Sequence, residues 1–140
     1  DLTNKYYQMI NPINRSLDST LVNKYAVEPY VVAADIYSAK RYPGRGGWTW
    51  YTGTAAWYYY VGVQEIIGLK KHGDALTFKP SIPSSWEQLT VDYTYMETIY
   101  HIEIIKSKKA RVTLDGKKCD DGVLLVNDKK EHNVVVNYTK

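Results

Sequence analysis

The chain has 140 residues, 44% of them hydrophobic, and its 18 basic and 15 acidic residues leave a net charge of only +3. That length allows one domain or two small ones with a modest core, and charges scattered this evenly argue against a field suited to nucleic acid or an anionic membrane. The single Cys119 excludes an internal disulfide, and without a CxxC pair or closely spaced His and Cys residues a metal site is not expected.

In chain order, Tyr6, Tyr7, Met9 and Ile10 are spaced like one face of a helix that Pro12 ends. "VEPYVVAADIYSAK" places Glu28 before Pro29 and then Val31, Val32, Ala34 and Ile36, which predicts a helix from about Pro29 to Ser38. "RYPGRGG" breaks it with Pro43, Gly44, Gly46 and Gly47. The strongest helical pattern follows, from Tyr51 to about Leu69, with Ala56, Tyr60, Val63 and Ile67 on one stripe, Gly68 at its end, and Lys70, Lys71 and His72 placed to complement the helix dipole. Beyond "HGDA" the segments become short, β-branched and alternating, with Tyr93, Tyr95, Tyr100, Ile102 and Ile104 at period two. This predicts an α+β chain, helical over 1–74 and an antiparallel β unit over 75–140. A helical half with so few convincing helices buries too little surface to stand alone.

"GRGGWTWYTGTAAWYYY" holds four glycines, three tryptophans and four tyrosines in seventeen positions. A helix beginning at "YTGTAA" has unpaired N–H groups in its first turn, Thr52 or Thr54 can add a hydroxyl, and Gly53 permits close approach, so the helix start suits a phosphate or carboxylate. The same residues also serve as an ordinary cap. Chain-wide, 14 tyrosines and four tryptophans against one phenylalanine favour aromatic surfaces with a polar edge, which stack on sugar rings or simply cover the fold. Arg45 reads as a rim charge or an anion contact. Glu28, Asp35 and Glu65 are the candidate acid–base carboxyls, with Glu28 and Asp35 sharing one face of the predicted helix. Their structural readings are a dipole partner and a solvated acid. His72, His101 and His132 fall in separate segments, and no nucleophilic triad emerges.

Taken together, "KYAVEPYVVAADIYS", "GRGGWTWYTGTAAW" and "VGVQEIIGLKKHGDALTFKPSIPSSW", with "NPINR" ahead of them, resemble the carboxyl-terminal end of the glycoside hydrolase family 94 phosphorylases, most of all the cyclic β-1,2-glucan synthetase branch. The resemblance covers about Asn11 to Trp86 and thins over the tail. It implies the last helices of an (α/α)6 barrel followed by a sandwich-like β domain. It also implies a parent enzyme in which inorganic phosphate, a co-substrate rather than a cofactor, attacks a β-glycosidic bond with inversion while an Asp protonates the leaving oxygen. Thr52 and Gly53 match the family's phosphate-binding pair, and Glu28, Tyr30, Arg45, Trp48 and Trp50 become sugar-cleft candidates.

The family's acid Asp, and the arginine and histidine that join in holding phosphate, come from segments ahead of "NPINR". No catalytic role therefore passes to Glu28 or Asp35, and the expectation is a carboxyl-terminal fragment that is inactive alone. A glutamine used by cellobiose-type members after "EPY" has no counterpart, since Ala34 or Asp35 stands there. Expected partners are a β-linked glucan, phosphate and the remainder of the parent polypeptide, with self-association through the incomplete barrel edge. The fragment is expected to be soluble and the parent bacterial and inner-membrane-associated, with this part cytoplasmic. The alternative is a non-catalytic carbohydrate-binding or structural β module that uses Tyr93, Tyr95 and Tyr100 as its sugar platform.

Overall fold

The computed structural model describes residues 1–139, which divide into two compact units, 1–62 and 63–139. Helices and sheets segregate along the chain, as expected for an α+β protein. Helix α1 (Leu2–Ile10) stops before Pro12, which cannot supply a helical N–H. Arg15 seals its end by donating Nε to the Met9 carbonyl at 2.7 Å. Helix α2 (Ser19–Tyr25) has no counterpart in the sequence reading. Its start is nonetheless written in the chain, because the Asp18 side chain accepts from the Leu21 N–H at 2.9 Å as an N-cap. It ends with Ala26 in the left-handed region, φ 53°.

The predicted helix at 29–38 does not form. Tyr25, 1% exposed, donates its hydroxyl to the Val31 carbonyl at 2.8 Å and accepts from the Ala33 N–H at 3.3 Å. The following backbone then bonds across to the glycine loop: Ala34 N–H to Trp48 O, Gly47 N–H to Asp35 O and Tyr37 N–H to Arg45 O, with an antiparallel bridge between Ile36 and Gly46. Groups that a helix would have paired locally are satisfied across this irregular arch instead, so tertiary pairing overrides the proline and glutamate signal. Gly46 and Gly47 are required there, since a Cβ at 46 would meet Val27 at 2.6 Å and one at 47 the Asp35 carboxylate at 2.2 Å.

Helix α3 (Thr52–Tyr60) runs into a π-helical turn, Val61–Ile67, and ends at Gly68, so the long predicted helix is present. Lys70, Lys71 and His72 do not extend it. They belong to β1 (Leu69–His72), which begins ahead of the expected change near residue 74. Gly68 makes the reversal possible: its φ is +78°, and a Cβ would lie 2.1 Å from the Lys79 carbonyl oxygen.

Two sheets follow. Strands β1, β2 (Ala75–Phe78) and β7 (Val123–Leu124) form an antiparallel three-stranded sheet in the order β1-β2-β7. The second sheet has the order β3-β4-β8-β5-β6, from β3 (Gln88–Tyr95), β4 (Thr98–Lys106), β5 (Arg111–Leu114), β6 (Lys117–Cys119) and β8 (Glu131–Tyr138). The expectation of a wholly antiparallel unit is corrected here: β4 and β8 pair in parallel, from Ile99 opposite Glu131 to Lys106 opposite Tyr138. Only a long crossover can join such a pair, and residues 107–130 provide it, carrying β5, β6 and β7.

Alternation along β4 sends Thr98, Tyr100, Ile102 and Ile104 inward, where they meet Val134 and Val136 of β8 and Leu76 and Val123 of the smaller sheet in one core. Tyr100 is therefore no sugar platform. It is fully buried, its hydroxyl donating to Val126 O and accepting from Val126 N–H, while Tyr93 and Tyr95 pack partly buried against the same cluster.

Candidate functional site

The glycine-aromatic segment lies wholly in the first unit. Tyr25 fixes the arch from beneath, and the chain then presents Tyr30, Trp48 and Trp50 with 69%, 67% and 64% of their surface exposed. These rings are open faces rather than core. Glu28, Tyr30 and Trp50 are brought together: the Trp50 indole Nε1 donates to Glu28 Oε1 at 3.0 Å, and the Tyr30 and Trp50 rings meet edge to face at 6.3 Å. Trp50 holds this pose from the left-handed region, φ 61°, which no feature of the sequence signals. The indole bond holds the Glu28 carboxyl below its usual range, helped by a backbone N–H and the Thr49 hydroxyl. A carboxyl so stabilised as the anion is a poor proton donor at neutral pH and a good acceptor for a sugar hydroxyl.

Trp48 stacks on Tyr51 with ring centroids 4.7 Å apart and planes 18° from parallel. Tyr51 is also the N-cap residue of α3, and its side chain makes no capping bond. Thr54 N–H turns back to the Tyr51 carbonyl at 3.0 Å, so the Thr52 and Gly53 amides are the ones to which the helical geometry offers no acceptor. A Cβ at Gly53 would touch nothing closer than the Tyr51 ring at 3.5 Å. The helix start, the stacked Trp48–Tyr51 pair and the Trp50–Glu28 pair thus follow one another along a short stretch, combining anion-seeking N–H groups, flat apolar faces and a carboxylate acceptor.

Arg45 lies against the Tyr42 ring, 5.4 Å from its centroid, in a hollow shared with Lys24 and Arg41. Asp35 and Glu65 have structural partners: Asp35 accepts from the Trp48 N–H at 3.3 Å and lies against Gly47, and Glu65 pairs with Lys70 at 2.8 Å. With the helix at 29–38 gone, Glu28 and Asp35 do not share a helical face.

Sequence reasoning missed two histidine clusters in the β unit. His101 bridges Asp92 at 2.7 Å and Glu131 at 3.3 Å across neighbouring strands, and His132 bridges Asp115 at 2.7 Å and Asp128 at 3.1 Å. Apart from Asp128, four residues before His132, these partners are brought together by strand pairing, so sequence spacing carried little signal. Among the described residues no helix is long and apolar enough to cross a membrane.

Comparison with known proteins places two families on the chain in series. Residues 1–68 match the glycosyl hydrolase 94 superfamily, catalytic domain, and residues 69–132 match the glycosyl hydrolase family 65, C-terminal domain. The chain is 40% identical over 125 residues to the cyclic beta-(1,2)-glucan synthase NdvB of Rhizobium meliloti, a match covering 85% of this chain and 4% of that protein. It is 30% identical over 122 residues to the N,N'-diacetylchitobiose phosphorylase of Vibrio proteolyticus, covering 83% of this chain and 15% of the relative. It is 28% identical over 118 residues to the solabiose phosphorylase of Paenibacillus borealis, covering 79% of this chain and 15% of that one. The chain therefore spans only a small part of the length of the curated relatives it matches.

Proposed function

Since the chain belongs to the glycosyl hydrolase 94 superfamily, we propose that it is the carboxyl-terminal part of a β-glucan-active inverting phosphorylase or cyclic β-1,2-glucan synthase, and that it supplies part of the phosphate and sugar cleft. In this reading the helical segment up to Gly68 is the end of an (α/α)6 barrel, and the strands from Leu69 onward form a sandwich-like β domain. Thr52 and Gly53 receive phosphate, while Trp48, Trp50, Tyr30 and Glu28 receive the sugar.

The observation that carries the reading is the uncapped start of α3 beside exposed, mutually oriented aromatics. Two amides and the Thr52 hydroxyl donate to phosphate oxygens, and the helix dipole favours the anion. The indole faces cover the apolar side of a pyranose ring, and ionised Glu28 accepts from its hydroxyls. In the reaction a phosphate oxygen forms a bond to the anomeric carbon as the glycosidic C–O bond breaks, and the departing oxygen takes a proton. Glu28, held ionised, is unsuited to give that proton, so the general acid comes from elsewhere in the larger polypeptide and this chain alone has no turnover.

In that larger polypeptide Thr52→Val is expected to raise the KM for phosphate at least about tenfold, the effect of one lost hydrogen bond to a charged group, with KM for the glucan little changed. A loss of thermal stability with an unaltered phosphate KM would reduce Thr52 to a helix cap. Release of glucose 1-phosphate from β-1,2-gluco-oligosaccharides by the 140-residue chain itself would overturn the assignment of the acid to another segment.

A further inference from the structure

Arg45 was grouped with the aromatic cleft on sequence grounds, yet it lies in a separate hollow of ≈ 360 Å³ lined by Asn23, Lys24, Arg41, Tyr42 and Pro43 among others. We propose that this hollow is a second binding site, for a dianionic phosphate group carried by a sugar or free in solution.

Three cations line it and no carboxylate does. None of Lys24, Arg41 and Arg45 makes an ion pair within 4.0 Å among the described residues. Lys70, Lys118, Lys129 and Lys130, by contrast, each meet an acid. Three like charges gathered without a counter-ion repel one another, and an incoming anion relieves that repulsion.

The cations are also positioned by the fold. The guanidinium carbons of Arg41 and Arg45 lie 5.2 and 5.4 Å from the centroid of the same Tyr42 ring, a cation–π arrangement that restricts both side chains. The loop bearing them is tied by Gly44 N–H to Tyr37 O at 2.7 Å, Tyr37 N–H to Arg45 O at 2.8 Å and Tyr42 N–H to Ala39 O at 3.0 Å. The Lys24 stem crosses Gly44 so closely that a Cβ there would stand 2.6 Å from Lys24 Cε, and Gly44 itself has φ +86°. Glycine at 44 thus lets Lys24 lie against the loop and reach the hollow from the α2 side.

Two planar guanidiniums and an ammonium suit a phosphate monoester, which carries nearly two negative charges and three acceptor oxygens at neutral pH, better than a single carboxylate. The volume exceeds what an oxoanion fills, and Tyr42 and Pro43 give the remaining space apolar walls against which a sugar ring packs. The site needs no general acid and no part of the Thr52–Gly53 helix start, so it stands whether or not that start binds phosphate.

The test is a titration of the isotopically labelled chain with α-glucose 1-phosphate, and in parallel with inorganic phosphate, at constant ionic strength set with chloride. The amides of Tyr42, Gly44 and Arg45 and the Arg41 and Arg45 side-chain N–H signals are expected to shift saturably. In the Arg41→Gln/Arg45→Gln double variant those amide shifts should weaken at least about tenfold in affinity, while the unliganded spectrum stays folded. Tighter binding of the ester assigns the site to a sugar phosphate, and equal binding assigns it to the free anion. Shifts that chloride alone reproduces, or that persist in the double variant, would overturn the proposal. Should the double variant unfold, Lys24→Gln, on another element, provides the same comparison.

Discussion

Tyr25 shows how much one hydroxyl can organise: it satisfies a carbonyl six residues and an N–H eight residues further along, in a stretch that has no regular structure of its own. Burial pushes its phenol pKa up, so the hydroxyl keeps its proton and remains a donor. Tyr25→Phe leaves both backbone groups unpaired and is expected to destabilise the first unit by about 1–3 kcal/mol in urea unfolding, with a change in the emission of Trp48 and Trp50. Gly68 is the second such position. Gly68→Ala meets the Lys79 carbonyl in a left-handed conformation and is expected to lose about 1–3 kcal/mol from backbone strain alone, read as a lower denaturation midpoint. The sequence announced Gly68 as a helix terminator, because glycine is the residue that accepts positive φ there. It could not announce Tyr25, whose role depends on where Val31 and Ala33 come to lie.

Among the elements, α3 was legible because its apolar stripe persists for several turns and its glycine stop is local. The β strands were legible from their alternation. The arch at 27–51 was not: Glu28, Pro29 and the apolar spacing after them do signal a helix, and only the cross-chain bonds to the "GRGG" loop, invisible in the sequence, outweigh that signal. Likewise the parallel pairing of β4 with β8 is a property of the crossover rather than of either strand, and it brings Glu131 to His101, while the antiparallel β5–β8 pair brings Asp115 to His132. Both rings present each nitrogen to a carboxylate, an arrangement that the doubly protonated imidazolium satisfies. Asp92 is the main cause raising the His101 pKa, and Asp115 the main cause raising that of His132. A histidine pKa raised by folding gives stability that is complete below the ordinary value of 6.5 and is lost as pH rises through the folded value. The Asp115 carboxyl, lowered mainly by the Asn133 N–H and then by His132, acts in the opposite sense, its contribution vanishing as pH falls through its own folded value. The midpoint of urea unfolding of the β unit should therefore fall from about pH 6 to pH 8.5, and His101→Asn/His132→Asn should flatten that fall. An unchanged slope in the double variant would dissociate the histidines from it.

On the scale of the whole chain, the two units are unequally built. Tyr25, Val31 and Ala33 are the members of the first unit among the buried apolar residues, and the rest of that set lies in the second. The first unit instead leaves Leu2, Tyr6, Ile13, Leu17 and Trp57 more than half exposed. In the reading proposed above, these exposed faces are where the helices pack against the remainder of a larger domain. Amides of α1 and α2 should accordingly exchange with solvent at lower free energy than those of β4 and β8, and equal protection would contradict this. The change from helical to β character along the chain was visible in composition and period, and the shortage of convincing helices already pointed to a thin helical core, whose few members, Tyr25, Val31 and Ala33, only burial identifies. The phosphate reading rests on α3 beginning at Thr52 as an open anion site, and a titration of the labelled chain with inorganic phosphate, following the Thr52 and Gly53 amides, tests it most directly. Saturable shifts confined to the helix start, distinct from any at Tyr42 to Arg45 and absent in Thr52→Val, are the expected result. A folded spectrum in which Thr52 and Gly53 do not respond would contradict it.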